Sequence, residues 1–186
     1  MTNPWVAIVG TRDQGRRQVL DSVLEALRQA GLRLGGVVQE TILRDGERAG
    51  FDVVDLASGQ RRPLAREAPD PQLCTWGFDG ETFAQVRRWI DAEPCDVVTL
   101  SLGSLEAAGQ GYWPTVLANL DGPPRLLLLE IRPNVLSAVA LRLPDPEDGV
   151  ELPAGEDEVA EFASRVAEAA RAVAKRGSSG GHAAST

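Results

Sequence analysis

The stretch that most constrains this chain is Val6 to Arg17, VAIVGTRDQGRR. A short apolar run ends at Gly10, four residues follow, and Gly15 opens a segment of helical periodicity. Strand, glycine turn and helix in that order give the G-x-x-x-x-G frame of a phosphate-binding loop. Backbone N–H groups of such a turn and of the helix N-terminus converge on one point, where the helix dipole favours negative charge. The frame calls for lysine and then serine or threonine after the second glycine. Here those places hold Arg16 and Arg17.

The frame has a regular helix behind it. Val19, Leu20, Val23, Leu24 and Leu27 fall on one face at 3.6 residues per turn, and Gly31 stands where a helix C-terminus is expected. Val37–Leu43 and Phe51–Leu56 are rich in β-branched residues around the Asp45-Gly46 turn signal, with Arg61–Leu64 as a third short strand. This predicts a β-meander over 36–66, inserted early in an α/β domain. A further edge strand is expected over Cys74–Phe78. Asp79 is an N-cap for a helix over Glu81–Ala92.

Asp96–Leu102 and Arg125–Ile131 are continuous apolar runs suited to the middle of a parallel sheet. Between them lie a glycine-rich loop, LGSLEAAGQGYW, and a short helix over Trp113–Leu120. A short helix is expected over Asn134–Ser137 and a last strand over Ala138–Leu143, followed by a Pro- and acid-rich linker to Gly155. Glu156–Lys175 reads as a long amphipathic helix. The expectation is one domain over 1–176 and a flexible tail over 177–186.

Composition narrows the function. With 186 residues, 43% hydrophobic, the chain supports one well-packed domain. No apolar run approaches the roughly 20 residues of a membrane span, and the N-terminus has no secretion pattern. A cytoplasmic protein with no membrane association is expected. A net charge of −8 and few aromatic residues argue against general nucleic-acid binding. Cys74 and Cys95 have no metal-ligand or redox spacing and are expected to be reduced thiols. The only histidine, His182, lies in the small-residue tail, so neither a histidine triad nor a histidine metal site is expected. Arginines nevertheless gather at Arg12, Arg16 and Arg17, and again at Arg44, Arg48, Arg61, Arg62 and Arg66. A local basic face on an acidic protein suits one small anionic ligand.

Gly36, Glu40, Gly46, Arg48, Gly50, Phe51, Asp52, Asp55, Leu56, Gly59, Leu64, Ala65 and Arg66 follow the loop in a specific spacing. Loop, meander and the DVVTLSLGSLE segment together resemble the P-loop nucleoside-triphosphatases first described from thermophiles, over most of residues 5 to 143. Gly103, Glu106, Ala107, Gly109 and Gly111 further resemble an uncharacterised bacterial offshoot with degenerate motifs, often found in molybdenum-related gene neighbourhoods. The resemblance implies a three-layer α/β sandwich with a mostly parallel central sheet. It implies nucleotide or anion binding by Gly10, Thr11, Arg12, Asp13, Gln14, Gly15, Arg16 and Arg17.

The departures fall on the chemistry. In an active member of that family lysine contacts the β- and γ-phosphates and a hydroxyl holds magnesium. Arg16 keeps a charge but is planar and bulkier, and Arg17 removes the hydroxyl. The strand Thr99-Leu100-Ser101-Leu102 ends without the family's acidic pair. Glu106 is the acid nearest that place. The leading expectation is anion binding with little or no hydrolysis. One alternative is slow magnesium-dependent hydrolysis, with Arg16 in the lysine role and Glu106 positioning water. Another is a module for an oxyanion such as molybdate, or for a protein partner. Magnesium is expected only if nucleotide is hydrolysed, and no other metal is expected.

Overall fold

The computed structural model describes residues 2–68 and 76–180. Cys74, His182 and the end of the tail lie outside the described residues. Strand β1 (Trp5–Val9) is buried throughout and leads through a 3₁₀ turn (Arg12–Gln14) into helix α1 (Arg16–Gln29). Strands β2 (Leu34–Arg44), β3 (Glu47–Asp55), β4 (Arg61–Glu67) and β5 (Trp76–Phe78) follow as an antiparallel meander. Helix α2 (Gly80–Ala92), capped by the Asp79 carboxylate on the Glu81 N–H at 3.0 Å, precedes β6 (Val97–Leu102). Then come α3 (Ser104–Ala107), α4 (Trp113–Leu120) and β7 (Leu126–Ile131). The chain closes with α5 (Leu136–Ala140), β8 (Asp148–Glu151) and α6 (Glu156–Gly180).

The eight strands among the described residues form one sheet, in the order β5-β4-β3-β2-β6-β7-β1-β8. Strands β8, β1, β7, β6 and the start of β2 run parallel. The meander therefore extends the central sheet. Leu34–Gly36 pair with Val97–Thr99 of β6, and from Val37 onward the same strand pairs with β3. Gly36 stands at this handover with φ +83°, and a Cβ there would lie 2.2 Å from the Thr99 carbonyl oxygen. Only glycine tolerates both the backbone conformation and that approach.

Side-chain alternation along the strands supplies two cores. Val6, Ile8, Leu126 and Leu128 meet Leu20, Leu24 and Leu27 of α1 and Phe162, Val166 and Ala170 of α6. Trp5, Ala7, Leu100, Leu127 and Leu129 meet Val86 and Ile90 of α2, Val116 of α4 and Val139 of α5. The result is the expected three-layer α/β sandwich.

Two expectations need correction. The strand expected over Ala138–Leu143 does not form: α5 takes Leu136–Ala140 and a turn follows over 141–143, with Val139 and Leu143 buried and Leu141 88% exposed. Burial at positions four apart suits a helical turn and not the two-residue alternation of a strand. The stretch to Gly155, expected as linker, contains the edge strand β8, of which only Val150 is buried. Two further boundaries differ. A short helix, α3, opens the loop after β6, and α6 continues to Gly180.

Candidate functional site

The parallel strands β1, β7 and β6 end together, and a cleft of about 700 Å³ lies over their C-terminal ends. This is where open α/β sheets place ligands. Thr11, Arg12, Asp13, Arg16 and Arg17 of the glycine loop form one wall, and Gln39, Thr41, Arg48 and Phe51 of the meander form the opposite one. Ser101, Glu130 and Arg132 lie at the strand ends between them.

The loop is a compact turn. Gly15 adopts φ +80° at the helix entrance, as the second glycine of the frame requires. The Gln14 and Gly15 N–H groups donate to Thr11 O and Arg12 O at 3.3 and 3.1 Å. Gln14 accepts the Thr11 N–H through Oε1 at 2.8 Å and donates through Nε2 to Leu152 O at 2.9 Å. Leu152 also donates its N–H to Val9 O at 2.8 Å, and its Cβ would lie 2.8 Å from a Cβ at Gly10. The first intrahelical bond of α1 runs from the Val19 N–H to Gly15 O at 3.1 Å. The N–H groups of Arg16, Arg17 and Gln18 thus belong to the helix's open first turn.

Arg16, in the place of lysine, turns back onto the strand ends. Its Nη1 donates to Gly10 O at 2.9 Å, and its Nε donates to Glu130 Oε2 at 3.1 Å. The other Glu130 oxygen accepts from Ser101 Oγ at 2.5 Å. Arg17 holds Asp21 at 2.9 Å and reaches Gln39 O at 3.4 Å.

Glu130 was missing from the sequence-based candidates. Its signal was present, a single carboxylate inside the buried run RLLLLEI. It stands opposite Ile8 of β1 and Ser101 of β6 in the sheet register. Arg132 was missed as well. Much of its surface is open, yet its pKa lies below the ordinary arginine value, first because the cleft withdraws it from water, then because Arg16 and Arg48 repel it. Glu106 opposes that shift. Among the described residues Arg12, Arg48 and Arg132 have no carboxylate within ion-pair distance. Arg61 and Arg66 of the second arginine group instead hold Asp52, and Arg61 also holds Glu40.

Glu106 sits in α3, just after β6, and is 4% exposed. Its Oε2 accepts the Gly103 N–H at 2.7 Å and its Oε1 the Tyr112 N–H at 2.9 Å. Both oxygens are engaged by the backbone of its own loop.

Magnesium held in the manner of a P-loop enzyme does not fit these residues. Arg17 occupies the place of the hydroxyl ligand, the Ser101 hydroxyl donates to Glu130, and Glu130 is paired with Arg16. Among the described residues no group of three metal-ligating side chains occurs. No helix among them is long and apolar enough to cross a membrane.

A family model described as NTPase matches residues 5–134. The nucleoside-triphosphatase THEP1 of Methanothermobacter thermautotrophicus is 26% identical over 143 residues, covering 74% of this chain and 81% of the relative. The solution structure of a human cancer-related nucleoside triphosphatase superposes with a TM-score of 0.67 at 20% identity, over 91% of this chain and 98% of that one. The crystal structure of THEP1 from the hyperthermophile Aquifex aeolicus gives a TM-score of 0.63 at 18% identity, over 88% and 99% of the two chains. These solved structures share the fold.

Proposed function

The chain belongs to the NTPase family, whose model spans residues 5–134, and on that premise we propose that it binds a nucleotide or another phosphate-bearing anion with little or no hydrolysis. The carrying observation is the division of labour among its arginines. Arg16, where lysine would meet the β- and γ-phosphates, is committed to Glu130 and Gly10 O, whereas Arg12, Arg48 and Arg132 line the same cleft and, among the described residues, form no ion pair. Asp13, Glu40 and Glu130 line it too, but five arginines against three carboxylates leave it net positive, which favours an anion. A cleft of about 700 Å³ is within the range of small-molecule sites.

The same arrangement argues against turnover. No hydroxyl follows the loop cation, and no free carboxylate stands at the end of β6 to orient water. Glu106 is a brace for its turn in this reading, because both oxygens are engaged. No magnesium is required. The site's chemistry also admits a tetrahedral oxyanion such as molybdate, and a protein partner carrying the anion.

Calorimetric titration with ATP, GTP, inorganic phosphate and molybdate, each with and without magnesium, tests the proposal when run beside a phosphate-release assay. Binding below millimolar that is independent of magnesium, with release at background, is expected. No binding below millimolar to any of the four removes the ligand. Magnesium-dependent release that disappears in Arg16→Ala would establish the slow hydrolase instead.

A further inference from the structure

Ser101 Oγ donates to Glu130 Oε1 at 2.5 Å in the floor of the arginine cleft. A hydroxyl bonded to a carboxylate at this length makes a strong, charge-assisted contact. Ser101 is 8% exposed, and it lines both the cleft and an adjoining cavity of about 310 Å³. The sheet register holds the pair in place, because Ser101 of β6 stands opposite Glu130 of β7. The other carboxylate oxygen, Oε2, accepts from Arg16 Nε at 3.1 Å, which fixes the group with Oε1 toward the hydroxyl. Arg16 and Arg132 line the same two cavities as the serine.

A serine that gives its hydrogen bond to a carboxylate, itself oriented by a third group, has the layout of a nucleophile with its base. Water at the strand ends has no such base. Glu106 is engaged by two N–H groups of its own loop, and both oxygens of Glu130 are taken by Arg16 and Ser101. The arrangement that withholds a base from water supplies one to the serine.

We infer that Ser101 is a phosphoryl acceptor: a phosphoanhydride held by the arginines passes its terminal phosphoryl group to the Ser101 hydroxyl, and the chain keeps it. This rests on the anion-binding reading above. In the transfer, Ser101 Oγ forms a bond to the terminal phosphorus, and the bond from that phosphorus to the bridging oxygen breaks. The leaving phosphate group takes the bonding electron pair, and the serine proton passes to Glu130 Oε1. Protonation neutralises Glu130 and releases Arg16 to the new phosphoserine dianion beside it. Arg12, Arg48 and Arg132 in the same cleft meet the charge that develops on the leaving group. Water has no base with which to remove the phosphoryl group, so each chain is modified once and does not turn over.

The test incubates the wild type with inorganic triphosphate, and separately with ATP, with and without magnesium, and reads the intact mass beside calorimetric binding. The expected product carries one phosphoryl group per chain, located on Ser101 by fragmentation. It should resist hydroxylamine, which would cleave an acyl phosphate on Glu130. Glu130→Gln keeps the serine hydroxyl and an acceptor for it but cannot take the proton. At a saturating concentration of donor its labelling rate should fall about a hundredfold, although its affinity for the anion rises. No label on a protein that binds triphosphate or ATP, a label elsewhere on the chain, or a saturated rate that Glu130→Gln leaves unchanged overturns this inference and leaves the anion reading standing. Failure of both anions to bind the wild type removes the anion reading, and this inference with it.

Discussion

Arg16 Nε lies 3.1 Å from Glu130 Oε2, and the pair is largely shielded from water, with side-chain exposures of 15% and 6%. This one contact joins the residue after the second loop glycine to the end of a strand whose sequence is otherwise apolar. It ties the loop's principal cation to the protein itself. A partly buried pair of this kind adds little net stability against apolar alternatives, but removal of one partner leaves an uncompensated charge.

Glu130→Gln keeps the shape of the site and an acceptor for Ser101 while removing the charge. Unfolding stability should fall by about 2 kcal/mol, read by chemical denaturation. Anion affinity should rise about three- to tenfold, because a competing carboxylate leaves the arginine cluster. Opposite movement of the two quantities is the signature; a parallel loss of both would count against the assignment of Arg16.

Arg132→Met should separate binding from folding in the other direction. The guanidinium is destabilised in the free protein by withdrawal from water and by Arg16 and Arg48. Its replacement should leave denaturation stability unchanged or slightly raised, and weaken triphosphate binding about tenfold. Higher ionic strength should shrink that difference.

Gly36→Ala addresses the handover of β2 from the parallel sheet to the meander. The new methyl would meet the Thr99 carbonyl at 2.2 Å on a backbone of φ +83°. A loss of about 3 kcal/mol is expected from thermal or chemical unfolding. A neutral result would mean that β2 and β6 do not approach as described.

Acid sensitivity should trace in part to Asp96. The Arg33 guanidinium, bonded to both carboxylate oxygens at 2.8 and 3.1 Å, is the main cause holding this carboxyl below its usual pKa. Partial burial opposes it, and the Arg33 N–H adds to it. A carboxyl depressed in the folded state stabilises fully above the unfolded value of about 4 and loses that contribution as pH falls through its folded value. Asp96→Asn should therefore flatten the stability profile below about pH 4 and, relative to wild type, lower the plateau above it by a pH-independent amount.

The fold was legible wherever one element carried its own period. Val19 to Leu27 announced α1, Asp45-Gly46 announced the hairpin, and the runs at β6 and β7 announced buried strands. Strand β8 was not legible because one inward residue, Val150, is no pattern, and its pairing with β1 supplies what the sequence does not. At the cleft, the turn that carries Thr11, Arg12, Asp13, Arg16 and Arg17 was legible from its glycine spacing. The partner of Arg16 was not, since spacing along the chain says nothing of which strands lie side by side. Glu130 is 114 positions away and meets Arg16 only because β7 lies next to β1. Glu106 drew notice as the nearest acid in sequence, but a carboxylate's direction is decided by the turn that contains it.

Leu152 gives the chain two different borders. The family model stops at Asn134, yet the glycine turn leans on a leucine eighteen positions later, through two main-chain contacts and a side chain that fills the space beside Gly10. A fragment cut at that border would contain the whole glycine loop and lack the wall that keeps the turn in shape. The stretch that assigns the family and the residue that holds its loop upright are written in separate parts of the molecule.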